Sequence, residues 1–433
     1  MQTTQKSPKI FFGWWTVLAC GIVGFLGVGF GNMAFSVLFK PIAADLNLDR
    51  AVTSVASGIQ NAVGGLLGPV GGWASDKYGP RLVMLIGGIA LVLGCFMMFF
   101  VNGLWSLLLA WGFLAGAGCS LGYTIIMDRA IINWFVKKNG IALNIKFAIQ
   151  SLAGLLLLPV IALLVVNQGW RNTCVIAGAV LLVVTLPLIW FFVKPHRPEY
   201  YGLLPDGMVR APGEKQMVNQ KTTDATGDVE AELTLKQTTR TSSYRLIIAI
   251  QYMANFGATM MSAHFVPFLT DRGISTVQAA SMMGLLITVG IPARLVAGLV
   301  VDRVKTGYLR FLMSAGIFLQ AAGIIIFLAN QSTATIYVWL VLYSIGSNIS
   351  GGVSLPMQAR YFGRKSFGTI MGLSGALQLP IGLVAPSIVG WVYDSSHSYN
   401  SIIVLIAILL CISGVTACFV RRPKVQGQLV SSY

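Results

Sequence analysis

Residues 81–101 read RLVMLIGGIALVLGCFMMFFV and hold no charged side chain after Arg81. A helix of about 20 apolar residues crosses ~30 Å of hydrocarbon, and lipid offers no hydrogen-bond partner to an open strand. The rest of the 433-residue chain continues this pattern, since it is 55% hydrophobic and only 10% charged. Soluble domains carry about 25% charged residues. The composition therefore predicts a polytopic helical membrane protein.

Twelve segments of this kind predict an all-α membrane protein with twelve transmembrane helices in two pseudo-symmetric bundles. They cover residues 12–38, 52–74, 81–101, 104–127, 140–166, 171–193, 244–269, 277–301, 307–329, 335–357, 367–391 and 399–420. The polar, proline-containing stretch from Lys194 to Ser243 is typical of a flexible, partly disordered linker. We therefore expect a six-helix bundle over 1–193, a cytoplasmic linker over 194–243 and a second six-helix bundle over 244–433.

The basic residues fall mainly on one side of the predicted membrane. If the N-terminus is cytoplasmic, the cytoplasmic segments hold 24 of the 30 Lys and Arg residues, and only Lys146 and Arg294 lie within spans. The positive-inside rule then places both termini in the cytoplasm. The net charge of +16 is thus a topology signal, and we expect membrane lipid and not nucleic acid around the protein. The short termini favour a prokaryotic inner membrane.

The two halves of the sequence resemble each other at an offset of 226 residues. The matching positions include Pro41 and Pro267, Gly72 and Gly298, and Asp76-Lys77 and Asp302-Arg303. Parallel six-helix repeats are a transporter architecture, with the substrate site between the halves. Residues 72–81, GWASDKYGPR, resemble the loop signature of the major facilitator superfamily, and residues 298–303, GLVVDR, resemble a degenerate second copy.

This resemblance implies that Asp76 and Arg81 latch a cytoplasmic gate when the site faces outward. A carboxylate at such a position can bond a helix N-terminus or a basic side chain, and can release it as the halves rock. The alternative is a solvated turn whose charges only set topology. We assign the gate to the two motif copies and the end of the fourth span: Asp76, Lys77, Arg81, Asp302, Arg303, Asp128 and Arg129.

Within the superfamily, the chain resembles the monocarboxylate transporters and the oxalate/formate antiporters. Gly13-Trp14-Trp15 opens the first span, and Ile291-Pro292-Ala293-Arg294 lies where those families place a substrate arginine. The resemblance implies secondary transport of lactate, pyruvate or formate by alternating access, as a proton symport, without a cofactor and as a monomer. However, Gly290 and a first span without lysine before Lys40 replace the proton-coupling pair of the animal transporters. Coupling through another group, or oxalate/formate-type anion exchange, is the alternative.

Two basic residues lie deep in the predicted spans. A charge inside a span costs several kcal/mol unless it is paired or hydrated. Since no Asp or Glu falls in the middle third of any predicted span, the counter-ion of Arg294 is expected to be a substrate carboxylate, which suits its planar fork. Backbone carbonyls or snorkelling are the alternative for Arg294. Lys146 is expected to reach the surface, to pair with Asp128 or Asp76, or to add a second substrate charge.

Other polar or aromatic side chains on the spans are candidates to contact the substrate. They are Tyr123, Asn32, Asn255, Tyr343 and Gln378. Each could instead hold an interhelical hydrogen bond. An exporter of drugs or amphipathic compounds and a non-transporting receptor are the competing functions. The chain has no P-loop, HExxH, GxSxG or CxxC motif, so we expect neither an enzyme nor direct ATP use nor a metal site.

Overall fold

A computed structural model describes residues 11–48, 50–207, 233–270, 272–274, 276–396 and 398–423. The secondary structure in these ranges consists of helices joined by short loops, and it contains no strand. All twelve predicted spans are helical, so the prediction of an all-α membrane protein is confirmed. The first half is built from helices Phe12–Val28, Phe35–Asp45, Arg50–Tyr78, Pro80–Met97, Leu104–Leu107, Gly116–Gly122, Ile125–Trp134, Asn139–Leu152, Leu158–Val180 and Leu186–Phe192.

The second half repeats this arrangement with longer continuous helices. Its six spans are formed by Ser242–Thr270, Thr276–Arg303, Leu309–Asn330, Thr333–Phe362, Phe367–Leu377 with Leu379–Ser396, and Asn400–Cys418. In the first half, π-helical turns interrupt the spans at Gly29–Met33, Leu108–Ala115, Ala153–Leu157 and Leu181–Thr185. Gly169 turns the chain from the fifth span to the sixth with φ 76°, in a region of backbone space that glycine alone enters easily.

Length and hydropathy alone identify seven membrane-crossing helical stretches among the described residues, covering eight of the twelve predicted spans. The second, seventh, eighth and eleventh spans fall outside that set although they are helical. Three of these four, the second, eighth and eleventh, pack against the opposite bundle. A helix that faces protein on several sides needs less apolar surface than one that faces lipid.

The two bundles touch backbone to backbone near one face of the membrane. We call it the basic face, because its loops carry Lys77, Lys137, Lys305 and Lys365. In the second and eleventh spans, a Cβ added at Gly72 would overlap the carbonyl of Gly368 and lie 3.0 Å from Cα of Thr369. In the fifth and eighth spans, a Cβ at Gly298 would lie 3.0 Å from the carbonyl oxygen of Gly140. The bundles are therefore closed together at the basic face.

Each bundle also has its own aromatic core. In the first, Trp111 stacks on Phe35 with ring centroids 5.1 Å apart and donates from Nε1 to Gln60 Oε1 at 3.0 Å. In the second, Trp339 stacks on Phe327 at 4.9 Å. Buried tryptophan and phenylalanine rings in these arrangements add directional packing to each bundle. Each bundle is therefore packed around its own aromatic side chains.

The described parts of the segment between the bundles are folded against the basic face. The Asp206 carboxylate accepts the backbone N–H groups of Val136, Lys137 and Lys138 at 2.8–3.0 Å. Glu199 pairs with Arg364 at 3.1 Å. Residues 194–207 of the predicted linker therefore hold fixed contacts, since their carboxylates satisfy loop donors that would otherwise need water. Residues 208–232 lie outside the described residues.

Candidate functional site

Arg294 lies between the two bundles. Its guanidinium carbon is 4.2 Å from the ring centroid of Phe147 in the fifth span. On the other side, its terminal nitrogens are 4.0 Å from the position of a Cβ added at Gly351 in the tenth span. The side chain is half-buried, and its Nε has no hydrogen-bond partner. Among the described residues, no carboxylate forms a salt bridge with Arg294.

Lys146 shares this aromatic ring with Arg294. Its Nζ is 3.9 Å from the Phe147 centroid and 2.9 Å from Asp128 Oδ1. The Lys146 and Asp128 side chains are only 1% and 7% exposed. Because both cations lie over one ring, their charged groups are at most about 8 Å apart. Lys146, Asp128 and Arg294 thus form one group, which we call the charge cluster.

The charge cluster places an acidic residue closer to the two deep cations than their positions within the predicted spans suggest. The deep cations are not isolated from acidic residues, because Asp128 at the end of the fourth span reaches Lys146 and acts electrostatically on Arg294. Positions along separate spans do not reveal this proximity, since two packed helices bring different sequence positions to the same depth. After the Lys146–Asp128 pair is formed, one positive charge, that of Arg294, remains without a partner carboxylate in the described chain.

The first motif aspartate holds the start of a helix in the opposite bundle. Asp76 accepts the backbone N–H groups of Gly368 at 3.2 Å and Thr369 at 2.8 Å, at the N-terminus of helix Phe367–Leu377. Arg129 Nε lies 2.7 Å from the same carboxylate. The positive end of a helix and a guanidinium both stabilise this ionised side chain. Asp76 therefore joins the two bundles at the basic face.

The second motif aspartate makes the reciprocal contact. Asp302 accepts the backbone N–H groups of Gly140 at 2.8 Å and Ile141 at 2.9 Å, where helix Asn139–Leu152 begins in the first bundle. Arg360 lies 3.4 Å away. Asp302 lies one residue before the end of helix Thr276–Arg303, so its carboxylate reaches the start of the neighbouring helix. Each bundle therefore caps a helix of the other.

The other residues assigned to the gate lie elsewhere. Arg81 donates to the carbonyl of Trp190 and lies 4.0 Å from its ring centroid, so its recorded contacts stay within the first bundle. Lys77 lies over the rings of Trp73 and Tyr78 at 5.1 and 5.2 Å. Arg303 is exposed. The latch role implied for Arg81 is not seen, because Arg81 sits on the next helix and points towards the sixth span.

The remaining candidates for substrate contact are scattered through the two bundles. Tyr123 is fully buried, with its hydroxyl 3.3 Å from that of Thr185, and Tyr343 is 5% exposed. Asn255 donates to Gln378 within the second bundle, and Asn32 is exposed. Among the described residues, none of the five forms a hydrogen bond with Arg294.

Two residues near the cluster were missed at the level of sequence. The ring centroid of Phe147 lies 3.9 Å from Lys146 Nζ and 4.2 Å from the guanidinium carbon of Arg294. The buried Oε1 of Gln150 has no hydrogen-bond partner. Gln150 follows Lys146 by four residues, which places both on one helix face. That spacing could have identified Gln150. Nothing in the sequence distinguishes Phe147 from other phenylalanines in the spans.

The family model of the Major Facilitator Superfamily matches residues 21–382. Monocarboxylate transporter 13 of Rattus norvegicus is 25% identical over 411 residues, which are 95% of this chain and 89% of that protein. The probable sulfoacetate transporter SauU of Cupriavidus necator is 26% identical over 367 residues, which are 81% of each chain.

Solved structures share the fold at low sequence identity. The fucose:proton symporter FucP of E. coli has a TM-score of 0.67 at 13% identity, over 95% of this chain and 98% of its own. The human organic anion transporter MFSD10 has a TM-score of 0.68 at 14% identity, over 93% of this chain and 99% of its own. The family match spans most of the sequence and the relatives are transporters, not enzymes. The chain therefore belongs to the Major Facilitator Superfamily.

Proposed function

We propose that this protein is a secondary active transporter that carries a small monocarboxylate, such as lactate, pyruvate or formate, together with a proton. The observation that carries the proposal is Arg294, a half-buried guanidinium between the bundles with no partner carboxylate among the described residues. A buried guanidinium needs an anion, and its planar fork offers two parallel hydrogen bonds to a carboxylate. The names of several relatives, which are monocarboxylate transporters, support the same substrate class.

The charge cluster favours a substrate with a single negative charge. The Lys146–Asp128 pair is neutral as a unit, so the cluster carries one net positive charge. A monoanion engages Arg294, the one cation of the cluster that no carboxylate engages, whereas a second anionic group would need Lys146, which Asp128 already engages. The substrate therefore binds with its carboxylate on Arg294 and its remaining atoms near Phe147.

Transport proceeds by opening and closing of the two ends of the molecule. The contacts that Asp76 and Asp302 make across the bundles close the basic face. When the bundles rock, these helix caps separate, and the anion leaves Arg294 towards the basic face. We assign this face to the cytoplasm of a prokaryotic cell, because basic loops are retained on that side of the inner membrane. The transporter functions as a monomer.

The proposal is tested with purified protein in liposomes. Initial uptake of radiolabelled lactate, pyruvate and formate is measured for the wild type, Arg294→Ala, Arg294→Lys and the control Arg171→Gln. Arg171 pairs with Asp45 far from the cluster. Since hydrogen bonds to charged groups contribute about 1.5–3 kcal/mol, Arg294→Ala should lower uptake by about 10- to 150-fold. Uptake by Arg294→Lys should lie between the rates of the wild type and Arg294→Ala, and uptake by Arg171→Gln should match the wild type. Wild-type uptake by Arg294→Ala would refute the role of the arginine.

A second substrate class has one observation in its favour. Lys146 lies over the same ring as Arg294, so a substrate with two anionic groups could engage both cations if Asp128 moved away. The relative SauU, whose name refers to sulfoacetate, is in keeping with such a substrate. Competition separates the two classes. If oxalate or sulfoacetate inhibits lactate uptake at much lower concentration than pyruvate does, the substrate is a two-headed anion and exchange replaces symport.

A further inference from the structure

Binding an anion at Arg294 leaves the Lys146–Asp128 pair without an explanation. Both side chains are almost fully buried, and taking two charges out of water costs more than most ion pairs return. The pair is not part of the closed gate, where Asp76 and Asp302 form the contacts between the bundles. Lys146 of this pair lies instead against the ring of Phe147, which Arg294 also contacts. A buried ionisable group at this depth is therefore expected to function in transport.

We propose that Asp128 is the group that carries the coupled proton, and that the substrate carboxylate replaces it as the partner of Lys146. This inference rests on the proposed function of Arg294. When a proton binds Asp128, its bond to Lys146 weakens, and the ammonium group needs another anion. A carboxylate on Arg294 supplies negative charge at short range, because the two cationic groups are at most about 8 Å apart. No covalent bond changes, and the proton is released when the anion leaves.

The charges of the cluster give this exchange a definite stoichiometry. The empty cluster with ionised Asp128 carries one net positive charge. With one proton and one monoanion bound, it again carries one positive charge. The anion alone gives a neutral cluster, and the proton alone leaves two positive charges with Lys146 unpaired. The empty and doubly occupied forms therefore have equal charge, so one proton moves with each monoanion.

The same geometry makes the two ligands bind cooperatively. The field of Arg294 opposes protonation of Asp128, and an anion on Arg294 cancels that field. Anion binding therefore favours proton binding, and by reciprocity the proton favours the anion. The charged or titratable groups that face Asp128 are Lys146 on the fifth span, Arg294 on the eighth and the Cys20 thiol on the first. The neighbouring Arg129 is engaged by Asp76.

The experiment separates anion movement from proton coupling, with L-lactate as the probe. Proteoliposomes are prepared with the wild type, Asp128→Asn, the double variant Asp128→Asn/Lys146→Gln and the control Asp45→Asn. Asp45 is an exposed carboxylate that pairs with Arg171 outside the cluster. One assay measures exchange of labelled for unlabelled lactate at equal pH, which requires no net proton movement. The other measures accumulation of lactate driven by a pH gradient.

For one proton per anion, the wild type and Asp45→Asn should accumulate lactate about tenfold per pH unit. Asp128→Asn should exchange lactate, because Arg294 and Lys146 both remain to bind the anion, but it should accumulate no lactate above the outside concentration. The double variant should exchange lactate more slowly, because it lacks Lys146, and it should likewise accumulate none. The double variant has no unpaired lysine, so it provides the test if Asp128→Asn alone is unstable. In weakly buffered detergent solution, the wild type should take up about one proton per lactate bound, and both variants should take up none.

The two assays distinguish failure of the role proposed for Asp128 from failure of the proposed transport function. If the double variant accumulates lactate like the wild type, or takes up a proton on binding it, Asp128 is not the coupling group, while transport at Arg294 stands. If the wild type neither exchanges nor accumulates lactate, the proposed function itself fails.

Discussion

Replacing Gly72 with alanine should open the gate at the basic face. A Cβ at Gly72 would overlap the carbonyl of Gly368 and crowd Cα of Thr369, and backbone atoms cannot rotate away as a side chain can. Inserting a methyl group into a packed contact costs about 1–3 kcal/mol. The closed form should lose that free energy relative to the open form, which corresponds to a rise of about 5- to 150-fold in the open population.

Gly58 is a matched control on the same helix. A Cβ at Gly58 would have no neighbour within 4 Å, so Gly58→Ala changes helix propensity without any clash. Opening is reported by Val301→Cys, because Val301 is 0% exposed at the other contact between the bundles. Alkylation of this cysteine by a maleimide is followed by peptide mass spectrometry, which separates it from the six native cysteines.

The bundles should separate as rigid bodies, so a clash in the second span should expose a residue of the eighth. Labelling of Val301→Cys should therefore be about 5- to 150-fold faster with Gly72→Ala than with Gly58→Ala. Equal labelling rates in the two proteins would refute the argument that this glycine contact holds the basic face closed. Faster labelling with both would show that helix propensity, and not the clash, controls opening.

Three further predictions concern the basic face and one loop. The Asp302 carboxylate accepts two backbone N–H groups of the other bundle and lies 3.4 Å from Arg360, so Asp302→Asn should cost the closed form about 1.5–3 kcal/mol and speed the labelling of Val301→Cys by about 10- to 150-fold. An unchanged labelling rate in Asp302→Asn would contradict this prediction. Asp206→Ala removes an acceptor of three backbone N–H groups and should lower stability by about 1–3 kcal/mol, seen as a lower Tm in detergent; an unchanged Tm would mean that water replaces the carboxylate. Gly169→Ala should cost about 1–3 kcal/mol because of its positive φ, whereas Gly103→Ala, at an extended φ of −178° and with no neighbour within 4 Å, should leave Tm unchanged; equal losses would show that φ is not the cause.

Much of the fold could be predicted from the sequence because lipid leaves few alternatives. Apolar segments of about 20 residues must be helices, and the basic loops orient them. The repeat that aligns Gly72 with Gly298 and Asp76 with Asp302 identified the two positions where the bundles meet. Arg294 was identifiable by the same logic, since a charge within a span needs a reason.

The partners of these residues were not predictable. Asp76 binds backbone groups 292 and 293 residues away, and the sequence could not choose between Asp128 and Asp76 as the partner of Lys146. Arg81 belongs to the family signature but contacts Trp190 within its own bundle. The described part of the linker is folded although its composition is typical of disorder.

The apolar segments and the internal repeat by themselves predicted the helical type and approximate limits of the twelve spans, although length and hydropathy alone identify eight of them among the described residues. Each helix satisfies its own backbone within the membrane, so these properties depend only on local sequence. The tertiary structure decided which helix ends the two aspartates cap and which ring brings Lys146, Asp128 and Arg294 together. The aspartate caps and the contact of Arg294 with Phe147 arise only where the two bundles meet, and the Lys146–Asp128 pair arises only where the fourth and fifth spans pack. The relative rotation and depth of packed helices are not encoded in any single segment.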